Sequence, residues 1–263
     1  MYKRQHKTYL KNKKTKVIGL TGGQGSGKST ISNILKIILK ENFNLETVIF
    51  SIDDFYKTFK ERERMSKKIS SLFLTRGVPG THDTKMLLAC IQKLKSLNFT
   101  KIRLPKFDKA IDDRTSKKNW IKVNKKPNII IFEGWCIGAE PQKKKDLLIP
   151  INRLEKYYDK KIIWRNKVNE ELNTNYKKIF KLIDKIIFLK VPSFKYVFKW
   201  RLLQEKKLRI ISKGKKTMSD NEIKKFVMFY ERLTKHMFKT LASKADTVIN
   251  IDTQHKLKSI KFN

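Results

Sequence analysis

Three carboxylates, one lysine and a run of glycines are the residues of this 263-residue chain whose types and spacing could do chemistry. Gly22-Gly23-Gln24-Gly25-Ser26-Gly27-Lys28-Ser29 fits the pattern G-x-x-x-x-G-K-[ST], with Thr30 directly behind it. Glycines let the backbone curl until successive N–H groups face one anion, and a helix starting there adds its positive dipole end. Lys28 is placed to reach the β- and γ-phosphates of a nucleoside triphosphate, and the Ser29 hydroxyl offers an oxygen to Mg2+. Ser51-Ile52-Asp53-Asp54-Phe55-Tyr56 and Ile130-Ile131-Phe132-Glu133-Gly134-Trp135 each put acids directly after an apolar run. A carboxylate there can take the proton of an attacking hydroxyl and can bind Mg2+. The aspartate pair could equally cap a short helix, and Glu133 could be a turn acid.

These groups act together only if the fold brings them to one edge. Lys16–Thr21 reads as a buried strand running into the glycine loop, and Ile31, Ile34, Leu35 and Ile38 then repeat at i, i+3, i+4, i+7 as one helix face. Further strands are expected at 46–51, 128–132, 185–189 and finally 247–251, and helices at 83–97 (with Asp83 as cap), 193–210 and 219–242. Alternating strands and helices imply a parallel sheet with crossover helices, whose strand ends collect ligands along one edge. Residues 57–80 read as irregular, and the lysine-rich stretch 141–180 carries no recognisable motif.

Lys+Arg 62 against Asp+Glu 24 gives a net charge of +38, which raises the question of nucleic acid or an anionic membrane. Arginine occurs only eleven times, and the lysines are scattered along the chain rather than gathered beside aromatics. That is the pattern of a solvated lysine surface, so neither a specific nucleic-acid partner nor a membrane is expected. No apolar run approaches the roughly 18–20 residues of a membrane helix, and Met1–Lys16 carries basic residues without an apolar stretch. Two cysteines, Cys90 and Cys136, cannot make a disulfide framework, and a reducing cytoplasm is expected. Asn124-Lys125-Lys126-Pro127 lacks the aspartate of a guanine-reading Asn-Lys-x-Asp, which disfavours a GTPase.

Six blocks together resemble the D-glycerate 3-kinase family: Gly22–Thr30, Ser51–Tyr56, Arg76–Asp83, Leu104–Lys109, Phe132–Gly138 and Tyr196–Leu202. That family sits within the P-loop kinases alongside uridine kinase, pantothenate kinase and phosphoribulokinase. The resemblance implies an α/β three-layer P-loop NTPase core with a mostly parallel sheet, a helical lid and helical insertions. It implies a basic extension over 1–15, a kinase domain over 16–252 with its lid at about 193–216, and a C-terminal tail over 253–263. It further implies ATP and Mg2+ and a glycerate acceptor, in a monomer or homodimer. Carried over residue by residue, Gly22, Gly23, Gln24, Gly25, Ser26, Gly27, Lys28, Ser29 and Thr30 bind the nucleotide, and Ser29, Asp53 and Glu133 surround the metal. Lys28, Asp53 and Arg201 carry catalysis, with Asp53 the base on the acceptor hydroxyl, while Arg201 and Arg209 belong to the lid.

Arg201, Glu205 and Arg209 share one helix face at i, i+4, i+8, which also suits a surface salt-bridge ladder. A small acid needs fixed cations, so Arg76, His82, Lys106 and Arg114, together with Asp53 and Tyr56, are the expected acceptor-binding residues. Arg76 and Arg114 could equally be ordinary surface residues, and His82 a satisfied loop histidine. The competing readings are a sister kinase for uridine, pantothenate or a sugar phosphate, and a basic P-loop ATPase that binds nucleic acid.

Overall fold

The structure is a computed structural model and describes residues 14–211 and 218–263. The expected basic extension over 1–15 therefore lies, apart from its last two residues, outside the described residues, as does the 212–216 end of the expected lid.

A central sheet holds six strands, in the spatial order β10 (Leu257–Phe262), β9 (Thr247–Ile251), β8 (Lys185–Lys190), β1 (Lys16–Gly22), β7 (Ile129–Gly134) and β2 (Thr47–Ser51). β1 lies between β7 and β8, parallel to both; β2 is parallel to β7, and β9 to β8. Strands buried on both faces must be apolar at every position, and Ile129-Ile130-Ile131-Phe132 is fully buried. Alternate residues feed two cores. Val17, Phe50, Ile130, Phe132 and Phe188 pack into one, against helices α3 (Thr84–Lys95) and α9 (Asp220–Thr240). Ile18, Leu20, Ile129, Ile131 and Leu189 pack into the other, against α1 (Lys28–Phe43) and α8 (Phe194–Ile211). The expected three-layer, mostly parallel P-loop fold is the one the chain adopts.

Three local expectations differ. The α1 face is Ile31, Leu35, Leu39 and Phe43 rather than one including Ile34, which is exposed; Ser32 takes the place beside it and faces inward. Residues 57–75 are not irregular: Thr58 and Glu61 form a capping box that starts α2 (Phe59–Lys68). That helix buries Arg62 instead of an aliphatic stripe, so no apolar periodicity announces it. Arg62 donates to the carbonyls of Lys57, Leu74 and Asp112 at 3.2, 2.6 and 2.7 Å. The 141–180 stretch, in which the sequence shows no motif, folds into α4 (Lys144–Leu148), α5 (Arg153–Tyr158), α6 (Ile163–Glu171) and α7 (Lys177–Phe180), with α5 joined to α6 by the buried ion pairs of Arg165 with Asp159 and Glu155.

The expected C-terminal tail is also structured. After a turn in which Asp252 accepts from the amides of Gln254 and Lys256, β10 (Leu257–Phe262) runs antiparallel to β9. Its side chains are all exposed, so it shows neither the continuous apolar run nor the one-sided burial by which strands are read. Lysines on such an edge discourage pairing with further chains.

Two small two-stranded antiparallel sheets complete the fold. β3 (Ile102–Leu104) pairs with β6 (Ile121–Val123), and β4 (Phe107–Asp108) pairs with β5 (Asp113–Arg114). No helix is long and apolar enough to cross a membrane among the described residues.

Candidate active site

The strand register delivers the chemistry to one edge. Glu133 lies opposite Leu20 on one side and Ser51 on the other, so the phosphate loop, Glu133 and the residues after β2 converge on a single cleft of about 2020 Å3. Gly25 has φ +75, a conformation that favours glycine, and a Cβ there would lie 3.0 Å from the Trp200 side chain. α8 thus packs directly on the loop, through Val197 and Trp200.

Lys28 Nζ donates to the carbonyls of Gly22 and Gly23 at 3.1 and 3.0 Å. Burial lowers its pKa, opposed by the charges of Glu133 and Asp53. A partly desolvated ammonium binds an incoming anion strongly, since little water must be stripped from it. Ser29 Oγ donates to one Glu133 oxygen at 2.9 Å and Ser32 Oγ to the other at 3.1 Å. Among the described residues, no group of three or more His, Cys, Asp and Glu side chains could hold a metal unaided. A hydroxyl beside a carboxylate at a phosphate loop supplies the hard oxygen donors Mg2+ takes while phosphates complete its shell, so Ser29 and Glu133 fit that ion.

The adjacent aspartates have separate duties. Asp54 Oδ2 accepts from the Ser51 amide at 3.3 Å, and Ser51 Oγ accepts from the Asp53 amide at 3.2 Å; Asp54 also pairs with Lys106 at 3.1 Å. Ser51 is thus the N-cap of the short turn 52–55, and Asp54 closes the capping box as its N3 partner. Asp53 faces the cleft, where Tyr56 Oη donates to Oδ1 at 2.9 Å and Lys109 Nζ to Oδ2 at 2.8 Å. Burial raises its pKa, but the charge and hydrogen bond of Lys109 outweigh that and, with Tyr56, hold it at about 2.

Of the expected acceptor-binding residues, Tyr56, Arg76 and Lys106 line the cleft with Asp53. Arg76 is paired with Asp112, and its guanidinium lies 5.5 Å from the Phe107 ring centre. His82 and Arg114 do not line it. His82 is buried behind Tyr56, the two rings stacked at 4.4 Å, and its Nδ1 lies 2.5 Å from Tyr176 Oη. Because that phenol accepts from the Gly80 amide, its proton is free to go to Nδ1, and burial drives the imidazole pKa down to about 3. His82 is thus a neutral wall residue. Arg114 donates to the Tyr56 carbonyl at 2.9 Å and contacts Asp83, fastening the base of the β4–β5 hairpin instead of reading an anion.

Arg201 lines the cleft, paired with Glu205 at 2.6 Å. Arg209 lies outside it, joining the end of α8 to Asp220 at the start of α9; only the Arg201–Glu205 half of the ladder forms. Sequence reasoning passed over Tyr230 and Asp112. Tyr230 on α9 donates to the Arg76 carbonyl at 3.3 Å and packs edge-on against Trp135.

Over residues 17–149 the sequence matches the model of the Phosphoribulokinase / Uridine kinase family. The chain belongs to this family. Its relatives include the uncharacterized kinase mug58 of Schizosaccharomyces pombe, 34% identical over 81% of this chain and 78% of the relative. The chloroplastic D-glycerate 3-kinase of Arabidopsis thaliana is 30% identical over 94% of this chain, which spans about half (54%) of that relative's length. Among solved structures, D-glycerate 3-kinase from Cryptococcus neoformans superposes with a TM-score of 0.84 over 99% of this chain and 96% of that one, at 23% identity. That likeness establishes the fold. The wider group implied by the motif blocks, P-loop kinases that include uridine kinase and phosphoribulokinase, is the family found.

Proposed function

We propose that this family member phosphorylates the 3-hydroxyl of D-glycerate with ATP by direct in-line transfer. One observation carries the reading: Asp53, ionised and facing the cleft, shares it with Lys28 and Ser29, and the cations Arg76, Lys106 and Lys109 surround it. A small acid needs that combination, and a relative covering 94% of this chain is named for the same activity.

Phosphoryl transfer passes through a loose transition state, so the protein's task is placement and charge compensation. Lys28 turns its donors from its own loop's carbonyls to the phosphates. Mg2+ held by the phosphates with Ser29 and Glu133 would neutralise the charge developing on them. Asp53, positioned by Tyr56, accepts a hydrogen bond from the acceptor hydroxyl and takes its proton as the hydroxyl attacks. Arg76 and Lys106 meet the acceptor's carboxylate. α8 acts as the lid, with Arg201 as its cation at the cleft. The two buried thiols are unpaired, which suits a reducing cytoplasm.

A nucleoside acceptor would need an open aromatic face. Tyr56 has a face covered by His82 and Phe107 has one approached by Arg76, so both rings already serve the wall.

Initial rates of ATP consumption with D-glycerate, uridine, pantothenate and ribulose 5-phosphate test the reading. D-glycerate is expected to exceed the others in kcat/KM by about 100-fold or more, as when a site's polar groups are left unpaired by the wrong ligand. Turnover of uridine or pantothenate without turnover of glycerate would overturn it.

A further inference from the structure

The tip of the β4–β5 hairpin reaches both reactive ends of the acceptor site. Its four residues, 109–112, place Lys109 on Asp53 at 2.8 Å and the Asp112 carboxylate on Arg76. The same Arg76 also donates to the Lys109 carbonyl at 3.4 Å. One short segment therefore sets a hydrogen-bond donor on the candidate base and a carboxylate on the candidate anion reader.

We propose that this tip is a built-in competitor for the acceptor site, mimicking a small hydroxy acid: the acceptor's hydroxyl replaces Lys109 at Asp53, and its carboxylate replaces Asp112 at Arg76. This rests on the acid-acceptor reading above and deepens it, because it sets the acceptor class as a short-chain acid with its hydroxyl close to the carboxylate.

Three features make the tip displaceable. The hairpin's base is fastened separately, by Arg114 on the Tyr56 carbonyl and by the Thr115 amide on the Lys106 carbonyl at 2.8 Å. The tip itself is exposed, with Lys109 63% and Ile111 64% accessible, so it has little apolar burial to lose. Buried Arg62 also touches the Asp112 carboxylate, at 3.0 Å. The Lys57 and Leu74 carbonyls on its guanidinium lie outside the tip, and the Asp112 carbonyl stays in place when the Asp112 side chain alone turns away, so the donors of Arg62 remain satisfied when that carboxylate leaves.

A site occupied by its own chain binds ligand with an affinity reduced by the fraction of time it is free. Asp112→Asn removes the competing charge while retaining a residue that tolerates the left-handed φ of +53 at this position. The measurement is the calorimetric Kd of D-glycerate in the presence of a non-hydrolysable ATP analogue. The wild-type Kd is expected to fall by about three- to tenfold in Asp112→Asn, as for a tip in place about 70–90% of the time. An unchanged or weaker Kd overturns the competitor and makes Asp112 a residue that positions Arg76.

Should the variant fold poorly, wild-type hydrogen–deuterium exchange over 108–113 decides. Saturating D-glycerate is expected to speed exchange at the tip, and slowed or unchanged exchange overturns the proposal. If wild type phosphorylates none of the small acids, the acid-acceptor reading itself falls. If it phosphorylates glycerate and Asp112→Asn gains no affinity, the competitor alone falls.

Discussion

Tyr230 occupies the space a side chain on Gly77 would need: a Cβ there would lie 2.1 Å from the phenol oxygen. Gly77 also has φ +140, open to glycine and strained for other residues. Its carbonyl in turn accepts from Trp135 Nε1 at 3.0 Å. The loop Arg76–Gly80 is therefore shaped by a helix far along the chain.

Gly77→Ala is expected to destabilise the protein by about 3 kcal/mol, combining overpacking with a strained backbone. Tyr230→Ala removes the clash but leaves the backbone strain. The double variant should thus be more stable than the sum of the single losses, by about 1 kcal/mol or more in a denaturant-based cycle. Strict additivity would show that the loop is not shaped by this contact.

The buried imidazole of His82 sets a pH dependence on stability. Its folded pKa of about 3 lies below the unfolded value near 6.5, so between those values the unfolded chain holds a proton that the folded one lacks. Stability from this group is fully present above the unfolded pKa and falls as pH drops through that window, by about 2 kcal/mol at pH 5. His82→Gln is expected to lower stability at pH 7.5 yet flatten the decline from pH 7.5 to 5. An equal decline in both proteins would contradict a buried neutral imidazole.

The division between the adjacent aspartates is open to separate readouts. Asp54→Asn weakens the cap and the pairing with Lys106, and is expected to lower thermal stability while keeping measurable turnover. Asp53→Asn is expected to remain folded at the assay temperature and to reduce kcat by about 100-fold or more, the range of general-base removal. The reverse pattern would move the acceptor base one residue along the chain.

The parts of the site legible in the sequence are those whose residue types the chemistry itself demands. A phosphate cradle needs the glycines, Lys28 and Ser29 at fixed spacing, and parallel strands necessarily end at one edge, so Asp53 and Glu133 could be placed beside it. His82, Arg114 and Arg209 could not be assigned in the same way. Whether such a side chain faces the cleft or fastens its wall depends on distant partners: Tyr176, the Tyr56 carbonyl and Asp220. Tyr230 and Asp112 left no local signal, because a tyrosine among the apolar residues of a helix and an aspartate in a basic loop are ordinary there. In the fold, apolar strands and long helices were readable, whereas α2 and β10 were not, one being built around a buried arginine and the other lying wholly exposed.

Phosphorus NMR of the product formed from ATP and D-glycerate, run in parallel for wild type and Asp53→Asn, tests the central claim most directly. The expected result is a phosphomonoester on the 3-oxygen of glycerate, appearing with one equivalent of ADP and slowed about 100-fold or more in the variant. Phosphate appearing as free inorganic phosphate or on the 2-oxygen, or a variant as fast as wild type, would contradict it.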